Sequence, residues 1–112
     1  MTVPDILKGY IEAAAFTADE SDPWGFHDLA PETLERMRRD CAQFEAANAG
    51  AIAACGLDDQ QVGRDLWFTR NGHGTGFWDR KGPAAALTKL DAAARALGEI
   101  SAYRGDDGRI YL

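Results

Sequence analysis

The sequence lacks several features that would assign the protein to particular classes. It has no apolar run near the roughly 20 residues that a membrane-spanning helix needs. Its first residues show neither the basic nor the apolar region of a secretion signal. We therefore expect a cytoplasmic protein without a membrane partner. It also has no internal repeat and no low-complexity linker, and its 112 residues suit one domain.

Cysteine is scarce in the chain, which limits both disulfides and metal sites. Only Cys41 and Cys55 are present, and both fall in one predicted helix. A rise of about 1.5 Å per residue places them roughly 21 Å apart on that helix, too far for an internal disulfide. We expect two reduced thiols that act as small hydrophobic side chains. Further metal ligands are missing near them.

Basic side chains are almost absent from the first third of the sequence. Residues 1–32 contain seven acidic side chains and one basic side chain, Lys8, whereas the later chain contains 11 of each. The net charge of −6 therefore comes from this third. Direct nucleic-acid binding is disfavoured, because it normally needs a basic stripe. The densest acidic cluster is either a solvated face or a surface that meets a basic surface of another protein. It contains Asp19, Glu20, Asp22 and Asp28.

Two aromatic residues lie among these charges, in a predicted loop over residues 17–29 that we call the acidic loop. Trp24 and Phe26 either pin the acidic loop to the core or, if exposed, act as anchors for a partner. The sequence leaves both roles open.

Three prolines each precede a run of apolar residues at helical spacing, and proline favours the first turn of a helix. In the longest of these runs, Asn48 is the one polar member of the apolar stripe, and Gly50 is a candidate break into two helices. The last run places Leu97 on its apolar face and ends at Gly98. The spacing predicts helices over residues 4–16, 31–55 and 83–97, and a shorter helix, capped by Asp58, over residues 58–67.

The chain closes with two apolar-alternating runs around Asp107-Gly108, a pair that favours a two-residue hairpin turn. An isolated hairpin is marginal in water. It must therefore pack on the helices or pair with a strand from residues 67–70 or 76–78. The predicted fold class is mainly α to α+β: a single compact domain of about four helices with a small C-terminal antiparallel β-hairpin or sheet.

Three glycines at alternate positions, 72, 74 and 76, surround His73 in a segment that we call the glycine loop, residues 70–80. Glycine at this density costs backbone entropy and is kept where a positive φ or a close approach is needed. The spacing lacks the preceding strand and following helix of a dinucleotide site, and no P-loop sequence is present. No calcium-loop pattern occurs either. The sequence therefore predicts neither a cofactor nor a metal ion.

The glycine loop has three interpretations. In a catalytic or ligand-binding site, His73 is the general base, Asp65 or Asp79 orients it, and an arginine holds an anionic substrate. In a structural loop, the arginines pair with these aspartates, the histidine bonds a carbonyl, and Asn71 and Gly72 adopt left-handed backbone. In a partner-binding loop, the same side chains meet another protein. The candidate functional residues are Arg70, Asn71, His73, Asp79 and Arg80, and the structural interpretation also puts Trp67, Phe68, Phe77 and Trp78 in the core.

Three segments carry a resemblance to a known family. Residues 65–80 have the pattern Asp-x-Trp-x-Thr-Arg-Asn-Gly-His-Gly-x-Gly-Phe-Trp-Asp-Arg, residues 29–34 read Leu-Ala-Pro-Glu-Thr-Leu, and residues 103–111 read Tyr-Arg-Gly-Asp-Asp-Gly-Arg-Ile-Tyr. The chain resembles a family of small acidic proteins from bacteriophages, prophages and plasmids. The resemblance assigns no catalytic residue.

The resemblance implies a non-enzymatic protein that binds a host protein stoichiometrically. The most specific function that the resemblance implies is inhibition of host defence, of the anti-CRISPR or anti-restriction type. The alternative is a small enzyme or ligand-binding domain centred on His73. A third possibility is a structural or regulatory phage protein with another partner.

Overall fold

The computed structural model describes residues 3–112, and these are mainly helical. They contain five α-helices, two 3₁₀ turns and one antiparallel pair of strands. The predicted fold class, mainly α with a small C-terminal antiparallel hairpin, is confirmed. No helix in this range is long and apolar enough to cross a membrane. The elements are α1 (Asp5–Phe16), a 3₁₀ turn (Phe26–Asp28), α2 (Pro31–Ala47), α3 (Ala49–Cys55), α4 (Asp59–Arg70), a second 3₁₀ turn (Phe77–Asp79), α5 (Ala84–Ala96), β1 (Tyr103–Arg104) and β2 (Ile110–Tyr111).

Helices α1 and α4 form the most extensive helix pair, and they cross at two glycines. A Cβ on Gly9 would lie 1.8 Å from the carbonyl oxygen of Gln60. A Cβ on Gly63 would lie 1.9 Å from the carbonyl oxygen of Ile6. No side chain fits in such gaps, so the two backbones meet only because both positions lack a Cβ. This crossing determines how the C-terminal ends of both helices are placed.

The hydrophobic core lies between α1, α2, α4 and α5, with α3 packed beside α5. Each of the four surrounding helices contributes a fully buried large side chain, and the second 3₁₀ turn contributes one more. These side chains are Tyr10, Met37, Leu66, Leu90 and Phe77.

Of the four aromatic residues predicted in the core near the glycine loop, three lie in it or against it. Trp67 and Phe77 are buried, and Phe68 is half-buried against the core. Trp78 is 55% exposed, which corrects the prediction. In a 3₁₀ turn, with three residues per turn, neighbouring side chains point in directions about 120° apart. Because Phe77 faces the core, Trp78 faces solvent.

Helices α2 and α3 replace the single helix predicted over residues 31–55. The chain leaves helical geometry at Asn48, with φ −125° and ψ 18°. The buried Asn48 side-chain amide donates to the carbonyl of Phe44, 2.9 Å away, and so competes for a backbone acceptor. The predicted break into two helices is confirmed, but it lies at Asn48 and not at Gly50, which is inside α3. Cys41 and Cys55 therefore lie on different helices, and both thiols are free.

Two other helix ends differ from prediction by a few residues. The Asp58 side chain caps α4 by accepting from the Gln61 N–H at 2.8 Å, as predicted, but the helix continues to Arg70. Helix α5 ends at Ala96, and its last turn tightens, with the Leu97 N–H donating to the Ala94 carbonyl. This tightening turns Leu97 off the apolar face, and its side chain is 42% exposed instead of buried.

The C-terminal hairpin has a three-residue loop, Asp106-Asp107-Gly108, instead of the predicted two-residue turn. The Gly105 N–H donates to the Arg109 carbonyl at 2.8 Å, and the Gly108 N–H donates to the Gly105 carbonyl at 3.0 Å. Gly108 has φ +82°, so a left-handed residue follows the turn, as is common in three-residue hairpin loops. The strands pair Tyr103 with Tyr111.

The hairpin is anchored by the start of α2 and not by residues 67–70 or 76–78, which are helical or in the second 3₁₀ turn. Ile110 forms an isolated parallel bridge with Leu29. The Ile110 carbonyl accepts from the Ala30 N–H at 3.1 Å and from the Thr33 hydroxyl at 2.8 Å. Of the two predicted alternatives, packing on the helices is therefore confirmed and pairing with a third strand is wrong; a single bridge from the acidic loop adds to that packing.

The hairpin loop is expected to lose stability in acid. The Tyr111 hydroxyl donates to Asp107 at 2.6 Å and the Arg109 N–H donates at 2.9 Å, and these bonds lower the pKa of the Asp107 carboxyl from its ordinary 3.8. Because the pKa of Asp107 is lower in the folded than in the unfolded protein, its carboxylate stabilises the fold above pH 3.8. This stabilisation is lost as the pH falls through the pKa of the folded protein. Replacing Tyr111 with Phe should raise the Asp107 pKa toward 3.8, as measured by carboxyl ¹³C NMR titration. An unchanged pKa would contradict the assignment.

Candidate binding cleft

A cleft of about 360 Å³ lies between the acidic loop and the glycine loop. The C-terminal ends of α1 and α4 contribute to its walls, together with the segment between α5 and β1. Two candidate regions that are far apart in the sequence therefore line one site. Its charged, aromatic and amide side chains are Asp19, Asp22, Trp24, Trp67, Asn71, His73, Glu99 and Arg104.

Two tryptophans form the aromatic part of the cleft. Trp67 is buried, and its indole N–H donates to the Thr17 hydroxyl at 3.0 Å, which joins the ends of α1 and α4. Trp24 is half-buried and packs against the core, as a pinning role requires. Phe26 is 42% exposed and does not line this cleft; it lines a separate pocket with Ile11 and Ala15 of α1.

Asn71 has a structural role at the cleft. Its amide nitrogen donates to the Trp67 carbonyl at 3.0 Å, and its amide oxygen accepts from the Ile100 N–H at 2.8 Å. These bonds tie the end of α4 to the segment that follows α5. The predicted left-handed conformation is found at Gly72, with φ +69°, and not at Asn71, with φ −99°. The amide caps the helix, so no unusual backbone angle is needed there.

His73 lies exposed at the rim of the cleft. Its main-chain N–H donates to the Phe68 carbonyl at 3.0 Å. Its ring contacts the Phe68 ring edge to face, with centroids 5.8 Å apart. Phe68 in turn contacts Phe16 edge to face, with centroids 6.5 Å apart. We call these three side chains the aromatic row. Phe16, at its outer end, is 83% exposed.

The four predicted acidic residues are separated by the structure. Asp19 and Asp22 line the cleft, whereas Glu20 and Asp28 do not. Asp28 accepts from the Gly25 N–H at 2.9 Å and so closes the first 3₁₀ turn. Ser21 donates to Asp19 through its hydroxyl and its N–H, and these bonds lower the pKa of the Asp19 carboxyl.

Arg104 neutralises part of the acidic charge. Its guanidinium donates to Asp22 at 2.9 Å and to the carbonyls of Gly108 and Pro23 at 2.6 and 3.3 Å. The acidic excess assigned to the first third of the sequence is therefore reduced by a base from its end. Glu99 adds a carboxylate to the cleft. Neither Glu99 nor Arg104 stands out in the sequence, because each reaches the site only through tertiary packing.

The remaining residues of the glycine loop point to other parts of the molecule. Arg70 is buried and donates to the carbonyls of Gly98 and Leu97, the Tyr10 hydroxyl and the Asp40 carboxylate, over 2.9 to 3.3 Å. Its carboxylate partner is thus Asp40, and the predicted pairing with Asp65 or Asp79 is wrong.

Arg80 does pair with Asp65, which is fully buried, through two hydrogen bonds of 2.9 and 2.8 Å. This pair clamps the end of the glycine loop to α4, as the structural interpretation predicts. Arg70, Asp79 and Arg80 do not line the cleft.

The cysteines offer no activated nucleophile. Burial raises the pKa of the Cys41 thiol well above its ordinary value, and burial also raises the pKa of Cys55. A thiol must ionise to attack or to bind a metal ion, so neither cysteine has the lowered pKa of an activated nucleophile. Within residues 3–112, no cluster of three or more His, Cys, Asp or Glu side chains could hold a metal ion.

Comparison with known proteins gives no match at a significant level to a family model, a curated protein or a solved structure. The resemblance of residues 65–80 to a phage and plasmid family therefore stays a prediction.

Proposed function

We propose that this protein acts by binding another protein through the face formed by the acidic loop and the glycine loop. The observation that carries the proposal is the meeting of both regions at one cleft, where the half-buried Trp24 and the exposed His73 lie beside carboxylates that form no ion pair within residues 3–112. Aromatic anchors surrounded by polar groups are typical of binding hot spots.

The aromatic row supports this proposal because its outer member, Phe16, leaves most of a large apolar side chain in contact with solvent. Phe16 is the most exposed large hydrophobic side chain in residues 3–112. Its ring contacts Phe68 edge to face, and Phe68 contacts His73 in the same way. These contacts connect Phe16 to the rim of the cleft, so that a partner bound at the cleft can also bury this ring.

The charge of the same face favours a basic partner. Within the described chain, Asp19, Glu20 and Glu99 form no ion pair. Uncompensated carboxylates speed and orient association with a basic surface, and the effect weakens as salt screens it.

The finer form of the proposal is a cytoplasmic protein of a phage or mobile element that inhibits host defence, in the anti-CRISPR or anti-restriction manner. It is supported by the family resemblance and the acidic charge alone. It requires that the captured partner belong to a defence system and lose activity when the protein binds.

A pull-down from bacterial lysate at low and high salt, analysed by mass spectrometry, tests the binding function. We expect Phe16→Ala to weaken capture of the partner at least tenfold, equivalent to about 1.4 kcal/mol, without changing the melting temperature. Combined Asp19→Lys and Glu99→Lys should abolish capture, and high salt should weaken it. Asp22 is left intact because it holds Arg104.

Matched controls separate this face from general charge and hydrophobicity. Trp78→Ala removes another exposed aromatic side chain, and combined Glu35→Lys and Asp106→Lys makes the same change in net charge away from the cleft. Both control proteins should retain capture. Equal losses in test and control variants, or no partner in any sample, would reject the proposal.

The alternative is a ligand-binding domain or small enzyme centred on the glycine loop. It is supported by Asn71, His73 and Ser101 lining the same cleft. Against it, Asn71 is used in helix capping, and the arginines predicted to hold substrate are engaged elsewhere. A small-molecule NMR screen with wild-type protein and His73→Ala tests it. A hit that depends on His73 would favour this alternative.

A further inference from the structure

Two carboxylates in the cleft lack a cationic partner. Within residues 3–112, the Glu99 carboxylate accepts no hydrogen bond, and Asp19 uses one oxygen for Ser21 and leaves the other without a donor. Glu99 lies over the glycine loop, where a Cβ on Gly72 would be 3.8 Å from Glu99 Oε1. The arginine in the cleft does not neutralise them, because Arg104 bonds Asp22 and two carbonyls.

Aromatic surface lies beside these carboxylates in the same concave site. The half-buried Trp24 and the exposed His73 line the cleft together with Asp19 and Glu99, while Trp67, which also lines it, is only 3% exposed. A planar cation is favoured at such a site, since it stacks on aromatic faces while it donates to carboxylates. The cleft of about 360 Å³ is at the small end of ligand sites, which suits one long side chain.

We propose that the cleft binds the guanidinium group of an arginine side chain from the partner protein, between Glu99 and Asp19. This inference rests on the proposed function, because it names the group by which a basic partner is recognised. Arginine fits better than lysine because its planar fork pairs with carboxylates, stacks on aromatic rings and is more weakly hydrated than an ammonium. The exposed Phe16 lies outside the cleft and is connected to its rim through Phe68 and His73, so it is available to the partner's surface around the arginine.

The test is an NMR titration of ¹⁵N-labelled protein with the peptide acetyl-Gly-Arg-Gly-amide. We expect saturable shifts at the Trp24 indole N–H and at the backbone of His73 and Glu99. The same peptide with citrulline, a neutral side chain of nearly the same shape, should bind at least tenfold more weakly. The lysine peptide should bind a few-fold more weakly.

Two single variants locate the site, and a third serves as control. Glu99→Gln and Asp19→Asn should each weaken arginine-peptide binding at least fivefold. Glu20→Gln removes the same charge from the acidic loop but from outside the cleft, and should change binding less than twofold. All three positions are exposed, so the variants should fold.

Four results would overturn the inference. The citrulline peptide could bind as tightly as the arginine peptide, or both cleft variants could bind the arginine peptide as tightly as wild type. The arginine peptide could also fail to bind, or it could shift NMR signals only of residues outside the cleft. Free arginine binding as tightly as the peptide would point to a small-molecule site.

Because the titration needs no cellular partner, it is independent of the pull-down. A partner retained by Glu99→Gln would reject the arginine site alone, and peptide binding without a captured partner would reject the proposed function alone.

Discussion

Replacing Gly63 with alanine is expected to lower the free energy of unfolding by about 3 kcal/mol, at the upper end of the usual cost of overpacking. The added Cβ would lie 1.9 Å from the Ile6 carbonyl oxygen and 2.7 Å from the Tyr10 nitrogen, both backbone atoms that no rotamer change can move. The steric clash can be relieved only if α1 and α4 move apart, and this movement loosens the core around Tyr10 and Leu66. Gly9→Ala should have the same effect for the same reason. Urea unfolding, followed by circular dichroism, measures the change.

Gly50→Ala is the matched control for this prediction. Gly50 also lies within a helix, α3, but a Cβ there would meet no atom within 4 Å. Alanine should therefore stabilise the protein by about 0.5–1 kcal/mol through helix propensity. If Gly63→Ala unfolds at the same urea concentration as wild type, the close crossing of α1 and α4 is wrong.

The second large effect is expected for Arg70→Met, which keeps most of the side-chain length but removes every donor. Two carbonyls at the end of α5, the Tyr10 hydroxyl and the Asp40 carboxylate would lose their partner. Breaking a buried pair by removal of one member costs about 3–5 kcal/mol. Because the Asp40 side chain is 22% exposed and Leu97 is also exposed, water can replace part of the lost bonding, and the loss should be near the lower end, about 3 kcal/mol. We expect a loss of this size in chemical denaturation. The end of α5 should also lose protection from hydrogen exchange.

Arg38→Met supplies the comparison for Arg70. Arg38 forms an ion pair with Glu35 on the surface of α2, with about half of each side chain exposed. Exposed pairs contribute about 0–1 kcal/mol, so this variant should unfold close to wild type. Similar small losses for both variants would mean that Arg70 does not stabilise the junction of α1, α2 and α5. That result would reopen a binding role for Arg70.

Local patterns located the helices but not all of their ends. Apolar spacing and the capping Asp58 correctly placed α1, α4 and α5, since these signals act within a few residues along the chain. The break between α2 and α3 was missed by two residues because Asn48 was taken as a polar member of the stripe. Its burial and its bond to Phe44 exist only once the core has formed. The hairpin position was likewise correct, but its loop has three residues, since Gly105 pairs with Arg109.

For a related reason, only some of the candidate functional residues predicted from the sequence line the cleft. The sequence identified Asp19, Asp22, Trp24 and His73, all of which line the cleft. It also grouped Arg70 and Arg80 with His73 because they are neighbours in the chain. A helix end and a following turn send adjacent side chains to opposite sides, so these arginines face the interior and α4 instead.

The sequence by itself determined that the chain is acidic, mainly helical, closed by a hairpin and built around a glycine-rich loop. These properties depend on composition and on periodicities of a few residues, which propensity and burial convert directly into local structure. Only the tertiary structure decided which charged side chains pair within the protein and which can meet a partner. Arg104 reaches Asp22 across 82 positions of sequence, while Glu99 joins Asp19 in the cleft without a basic partner. The pairing of Arg104 with Asp22 follows from the anchoring of the hairpin at Leu29 and the start of α2, a long-range contact that no local pattern specifies.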